Sequence, residues 1–256
     1  MPKSNQSQKN QSPAKKLQQQ NNGFLIVASV NNAYYRSAIN LADSILDFYP
    51  EAKITLFTHP ELFEEKHRHL FDAVDLSAPI HKRAKLFALP KTKYDITAYV
   101  DADCEVQSEE ISEIFDQLGN SDIMLTKIRK YAAADTRISE TEELIWHCGV
   151  FLYNNKKKTL QMMQDWWTEY DYQITADPWP WPEHSKAMAP WDQYTFYRLY
   201  TSKKYKSVKI DVFPGEDARW NFVSIYDKSE TTNHPVIYHY TLHIKELNAG
   251  RNVKKS

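Results

Sequence analysis

The residues Phe24-Leu25-Ile26-Val27-Ala28-Ser29-Val30 form the first apolar run of the chain, and the two segments after it decide the architecture. A short continuous apolar run is the pattern of a strand buried on both faces. From Tyr34 to Phe48, the residues Ala38, Leu41, Ala42, Ile45 and Phe48 recur at three- and four-residue steps, the stripe of a helix that covers a core. Lys53–Phe57 (KITLF) then reads as a second strand. A β-α-β opening needs a crossover connection and so implies a parallel sheet covered by helices, an α/β fold.

The rest of the chain extends that pattern. Ile96–Val100, Asp122–Thr126, Gly149–Tyr153 and Val236–Tyr240 are further predicted strands, and Glu109–Leu118, Lys158–Tyr170 and Gln193–Tyr200 are predicted helices with apolar stripes. There is no internal repeat and no linker after residue 23, so one domain over residues 23–248 is expected. Residues 1–22 are Gln, Asn, Ser and Lys with almost no apolar content, which cannot repay the entropy of ordering and predicts a disordered basic, polar tail. Residues 249–256 form a short basic C-terminal tail. The sequence has neither a signal-like apolar core nor a stretch long enough to span a bilayer, so a cytoplasmic protein without a transmembrane segment is expected. Cys104 and Cys148 sit in apolar, strand-like contexts and are expected to be reduced thiols, one disulfide being the alternative.

Two features narrow the function. Only 5 of 256 residues are glycine, and none of them cluster, which excludes a P-loop and a GxGxxG fingerprint. Phosphate, if bound, has to be held by other means. The net charge is −1 overall, and because residues 1–22 carry four lysines and no acid, the remainder is near −5, a balance that gives no general pull toward DNA or an anionic membrane.

Asp101-Ala102-Asp103 comes directly after the predicted strand Ile96–Val100. Ligands of open α/β sheets bind beyond the carboxyl ends of strands, where two hard oxygen ligands grip Mn²⁺ or Mg²⁺ and leave positions open for a diphosphate. Two solvated strand-end acids are the plainer reading of the same residues. His239, in the last predicted strand, is a third ligand candidate that favours Mn²⁺, and Lys245 adds charge for phosphate oxygens. A satisfied core histidine is its plainer reading. Residues 174–191 (ITADPWPWPEHSKAMAPW) set Trp179, Trp181 and Trp191 among four prolines, so this stretch must be a loop. Its indoles are either the packed underside of a surface excursion or a stacking platform for a ring-shaped ligand.

Several segments together resemble the glycogenin-like retaining glycosyltransferases of the GT-A fold, a family that includes bacterial lipopolysaccharide galactosyltransferases. Ser29-Val30-Asn31-Asn32-Ala33-Tyr34 is similar to the stretch that holds uridine, which assigns Asn31 and Tyr34 to the donor. Lys85-Leu86 stands where the family has a donor-binding lysine, and Asp101-Ala102-Asp103 looks like its metal motif. Ala133-Ala134-Asp135 is similar to a segment whose aspartate reaches the donor sugar, and His147-Cys148-Gly149-Val150-Phe151 resembles the family's Asn-Ser-Gly-Val-Phe. Trp191-Asp192-Gln193 looks like its Asp-Gln signature beside the transferred sugar, and Arg219-Trp220-Asn221-Phe222 is similar to an aromatic-Asn landmark. His239 and Lys245 have the spacing of its metal and diphosphate ligands.

The resemblance implies a single GT-A domain with a mixed, mostly parallel central sheet flanked by helices. It implies transfer of a sugar from a nucleoside diphosphate sugar, UDP-linked, to a hydroxyl acceptor with retention of configuration. Asp192 and Asp135 are then the catalytic candidates, and Asn31, Tyr34, Lys85, Asp101, Ala102, Asp103, Gly149, Gln193 and Lys245 the donor-binding ones. Asp101, Asp103 and His239 are the metal ligands of a Mn²⁺ or Mg²⁺ ion, and Trp179, Trp181 and Trp191 the acceptor platform. A saccharide or glycolipid is the expected acceptor. A hydroxylated base in DNA, and a non-catalytic sugar-nucleotide-binding module, are the alternatives.

Overall fold

The structure is a computed structural model that describes residues 20–129, 136–224, 227 and 234–240. In chain order the strands and helices are β1 (Asn22–Ala28), α1 (Asn32–Phe48), β2 (Ile54–Thr58), β3 (Ala73–Asp75), α2 (Ala84–Ala88), β4 (Ile96–Val100), β5 (Cys104–Val106), β6 (Ile123–Lys127), β7 (Trp146–Asn154), α3 (Lys157–Thr175), α4 (Asp192–Thr201), β8 (Ile210–Val212), β9 (Phe222–Val223) and β10 (Ile237–His239).

Seven strands form the central sheet in the order β3-β2-β1-β4-β7-β6-β8. β1 runs parallel to β2 and β4, β2 to β3, and β6 to β8, while β7 lies antiparallel between β4 and β6. The expected mixed, mostly parallel sheet is therefore present. Its strands read as continuous apolar runs because both faces are covered. Phe24, Ile26, Ala98, Val100, Val150 and Leu152 pack beneath α1 and residues 109–118, and the alternating Leu25, Val27, Tyr99, Phe151 and Tyr153 pack beneath α2, α3 and α4.

Local boundaries are set by local chemistry. β1 ends at Ala28, two residues short of the apolar run, because Asn31 caps α1 through Oδ1, which accepts from the Ala33 and Tyr34 N–H groups at 2.9 and 3.2 Å. The predicted helix over residues 109–118 is a run of 3-10 turns, Glu109–Leu118. Its buried Ile111 and Ile114, and Phe115 and Leu118, are each three apart, the spacing that shares a face at three residues per turn. α3 runs to Thr175, past the predicted end at Tyr170, and its last turns bury Tyr170 and Gln173.

Two departures from regular pairing shape one end of the sheet. Leu125 pairs with Phe151, but the next residue, Thr126, pairs with His147, so β7 bulges over residues 148–150 while its partnership with β4 continues. A second, three-stranded sheet, β5-β10-β9, grows from the chain just after β4. In it His239 lies opposite Cys104, and the Tyr240 N–H donates to the Asp103 carbonyl at 2.9 Å.

The loop before α4 is tied down by a buried glutamine. Gln173 Nε2 donates to the carbonyls of Met188, Ala189 and Trp191 at 3.3, 2.9 and 2.9 Å, and Gln173 Oε1 accepts from Thr195 Oγ1 at 2.7 Å. Gln173→Ala is expected to lower stability in urea unfolding by about 1–3 kcal/mol, because it orphans buried carbonyls; an unchanged midpoint would mean that this tether does not hold the loop.

Candidate active site

β4, the bulge of β7, the N-terminus of α4 and the end of β10 meet around a cleft of about 340 Å³, which Tyr34, Lys85, Asp101, Ala102, Asp103, His147, Gly149, Trp191, Asp192, Gln193 and His239 help to line. The cleft lies beyond the carboxyl end of the central parallel strands, where an α/β sheet leaves a crevice.

Asp101 comes just after β4 on the same face as Tyr99, whose hydroxyl donates to Asp101 Oδ1 at 2.5 Å. Lys85, presented by α2 and buried, donates to the Cys148 carbonyl at 2.7 Å. It lies 3.6 Å from Asp101 Oδ1 and 3.1 Å from Asp192 Oδ2. Arg83 Nε reaches Asp192 Oδ1 at 3.2 Å. Two cations and two carboxylates thus alternate along one wall. Burial opposes the charge of Asp192, but Arg83 and Lys85 outweigh it and hold its carboxyl below the usual range. Burial also opposes the charge of Lys85, which Asp101 and Asp192 raise above its ordinary value. Asp101 itself is raised by burial. The Tyr34 hydroxyl is pushed up to about 12 by burial and by the nearby Asp103 and Asp101 charges.

His239 faces the acid pair, with Nε2 3.3 Å from Asp103 Oδ1 and 4.0 Å from Asp101 Oδ2. Burial disfavours its charged form, while its contacts with Cys104 and Asp103 favour it and hold it well above the ordinary histidine value. Oxygen and nitrogen ligands about 2 Å from one small divalent ion stand roughly 3–4 Å apart, so these spacings suit a shared cation. Asp103, Cys104 and His239 also each bring one candidate ligand atom within 4.8 Å of the others. Burial raises the Cys104 thiol to about 11, and Cys104 does not line the cleft, so the carboxylate and imidazole donors that remain are suited to a hard or borderline cation rather than one that demands thiolate.

Gly149 makes this convergence possible. A Cβ on it would sit 2.8 Å from Asp101 Oδ2, His147 Cε1 and His239 Cε1 alike, and its carbonyl accepts from the Asp101 N–H at 2.7 Å.

Of the residues singled out in the sequence, Tyr34, Lys85, Asp101, Ala102, Asp103, Gly149, Trp191, Asp192, Gln193 and His239 gather at the cleft. Asn31 does not line it, since its side-chain oxygen is spent on capping α1. Trp179 and Trp181 are packed away from it. Their rings meet at 4.8 Å and rest on Tyr194, and the Arg198 guanidinium covers Trp181 at 3.4 Å, so these two indoles are the underside of the loop. Asp135 and Lys245 lie outside the described residues. Sequence reasoning missed Arg83 and Tyr99, read Cys104 only as a reduced thiol, and had Asn221 only as part of the aromatic-Asn landmark. Arg83 stands two residues before Lys85 and Tyr99 two before Asp101, a same-face spacing that was there to be read for Tyr99. Both cysteines are free and buried, as expected of reduced thiols. Among the described residues no helix is long and apolar enough to cross a membrane.

No family model and no curated protein matches the sequence. Solved structures do match in fold. The glycosyltransferase GlyE of Streptococcus pneumoniae TIGR4 superposes with a TM-score of 0.58 at 16% identity, over 86% of this chain and 55% of GlyE. The WbbM bifunctional glycosyltransferase gives 0.57 at 14% identity, over 90% of this chain and 47% of WbbM. The galactosyltransferase LgtC, solved with donor and acceptor sugar analogues, gives 0.50 at 18% identity, over 86% of this chain and 87% of LgtC. The chain therefore spans about half the length of GlyE and WbbM and nearly all of LgtC. It has the GT-A glycosyltransferase fold.

Two substitutions test this geometry. Gly149→Ala is expected to cost about 1–3 kcal/mol in unfolding free energy through overpacking, and a neutral result would contradict the close approach of Asp101, His147 and His239. Asp192→Asn removes the counter-charge of two cations and is expected to cost about 3–5 kcal/mol near neutral pH. The folded-state carboxyl is depressed, so this stabilisation is present above the unfolded-state value near 3.9 and is lost as pH falls through the folded one. The gap between wild type and variant should accordingly narrow in acid; a constant gap would speak against the ion pairs.

Proposed function

We propose that this protein is a metal-dependent glycosyltransferase that moves a sugar from a nucleoside diphosphate sugar, UDP-linked, to a hydroxyl acceptor with retention of anomeric configuration. The observation that carries this reading is the convergence of Asp101, Asp103 and His239 in a cleft where Lys85 and Asp192 stand beside Asp101. Asp101, Asp103 and His239 would hold a Mn²⁺ or Mg²⁺ ion. The chemistry such an ion supplies is neutralisation of the charge that builds on a departing diphosphate.

The chain's own groups supply the rest of the mechanism. Lys85 adds a fixed positive charge beside Asp101, and because it is buried it costs no reorganisation when negative charge develops nearby. Asp192, kept ionised by Arg83 and Lys85, is suited to stabilise the oxocarbenium character of the transferring sugar. Its oxygens are both engaged with cations, which favours an electrostatic role over that of a free nucleophile. Tyr34, in the first turn of α1, contributes to the donor end of the cleft, and Gly149 gives the donor close access to the backbone of β7.

On the acceptor side the reading keeps Trp191, which lines the cleft next to Asp192 and Gln193, as the stacking surface for a saccharide or glycolipid. Trp179 and Trp181 serve it as support from behind. Asp135 remains a catalytic candidate through the family resemblance, and Lys245 a donor-binding one through its charge and that resemblance. The free thiols of Cys104 and Cys148 accord with a cytoplasmic setting.

The test is release of nucleoside diphosphate from a panel of nucleoside diphosphate sugars, with Mn²⁺ or Mg²⁺ and with chelator. Turnover is expected only with metal, and Asp101→Asn and Asp103→Asn are each expected to reduce it by about 100-fold or more. Turnover that survives chelation or both substitutions would overturn the metal site. A synergistic rise in melting temperature with UDP plus Mn²⁺, but no turnover of any donor, would favour the binding-module alternative instead.

A further inference from the structure

His147 and His239 meet edge to face in the cleft, with ring centroids 5.5 Å apart and planes at 86°. One fully buried side chain joins them. Asn221 Nδ2 lies 2.8 Å from His147 Nδ1 and 3.0 Å from Thr126 Oγ1, and Asn221 Oδ1 lies 2.9 Å from His239 Nδ1. The backbone here is anchored as well, because Arg129 Nη2 donates to the Asn221 carbonyl at 3.0 Å and Arg129 is itself paired with Asp217 and Asp227.

The proton positions are set by one atom whose role is fixed. The Gly149 backbone N–H points at His147 Nδ1 at 3.2 Å, and an amide N–H only donates. His147 Nδ1 must therefore carry a lone pair, which puts the ring proton of the neutral imidazole on Nε2. The Asn221 atom that faces the same lone pair must then be its NH₂ group. That choice turns the Asn221 carbonyl oxygen toward His239 Nδ1, which has to donate. His239 consequently keeps Nε2 for the side where Asp103 and Asp101 lie.

We infer that Asn221 is a positioning residue that holds the two histidines of the cleft in opposite tautomeric senses. In its neutral form His239 has its proton on Nδ1 and Nε2 left for the cation, while His147 has a bare Nδ1 and an Nε2–H on the cleft wall. A single carboxamide performs both tasks because its two ends differ, one accepting and one donating. An imidazole ligand whose other nitrogen donates to a carbonyl is oriented and made more basic, and loss of such a partner weakens metal binding by 10–100-fold. Gly149 takes part twice, through its N–H and through the missing Cβ that would press on both rings at 2.8 Å. The inference rests on the metal-site reading for its consequence but not for its proton assignments.

Two measurements test it. In ¹⁵N-edited spectra of the metal-free protein, His147 is expected with unprotonated Nδ1 and protonated Nε2, and His239 with a proton on Nδ1. A protonated His147 Nδ1 or a bare His239 Nδ1 would overturn the assignment. The second is Mn²⁺ binding to the full chain by titration calorimetry. Asn221→Ala is expected to bind 10–100-fold more weakly. Asn221→Asp, which keeps an acceptor for His239, should stay within about threefold of wild type. Equal loss in both variants would reduce Asn221 to a packing residue. If Asn221→Ala does not fold, Asn221→Asp and the spectra decide the matter. Failure of wild type to bind Mn²⁺ would instead count against the metal site, with the tautomers still read from the spectra.

Discussion

The alternation of Arg83, Asp192, Lys85 and Asp101 along one wall of the cleft is the interaction on which the rest depends. Lys85 and Asp192 are buried, and a buried charge without its partner costs several kcal/mol. The pairing can be satisfied only if α2, α4, β4 and the bulge of β7 arrive together, because Lys85 also needs the Cys148 carbonyl and Asp101 also needs Tyr99. The charge network thus acts as a registration device, tying helices on one face of the sheet to the strand ends that open onto the cleft.

The bulge of β7 solves the opposite problem, which is crowding. Asp101, His147 and His239 come from β4, β7 and β10, and all three approach the point where a side chain on residue 149 would begin. Glycine there, and a bulge that frees residues 148–150 from β6, let one strand serve as both sheet backbone and cleft floor. The small β5-β10-β9 sheet completes the arrangement by setting His239 opposite Cys104, and so next to Asp103.

Much of the fold is legible in the chain itself. The strands β1, β2, β4 and β7 announce themselves as apolar runs because helices cover both faces of the sheet, and α1 as a periodic stripe because it covers only one. Asp101, Asp103 and His239 are recognisable because acids and a histidine at strand ends carry a chemical meaning of their own, and Asp192 through the family resemblance. Arg83 and Asn221 carry none in isolation. Arg83 reads as a solvated residue in a basic stretch, and Asn221 as part of an aromatic-Asn landmark with no task of its own, until tertiary contacts over 109 and 18 residues of chain give them Asp192 and His239 as partners. The three loop tryptophans show the same limit from the other side, since Trp191 reaches the cleft whereas Trp179 and Trp181 pack on Tyr194.

What the sequence determined by itself was the alternation of buried strand and covering helix, and with it a mostly parallel sheet and the strand ends at which the cleft opens. Periodicity and crossover handedness are local consequences of backbone geometry, and they need no distant partner to be expressed. What only the tertiary structure decided was which polar groups pair in the cleft, that Asn31 is a helix cap, and that one asparagine joins two histidines. Those outcomes depend on hydrogen-bond and ion-pair geometry at a few ångströms between segments far apart in the chain, where the burial of a charge or amide is tolerable only when its partner arrives from elsewhere.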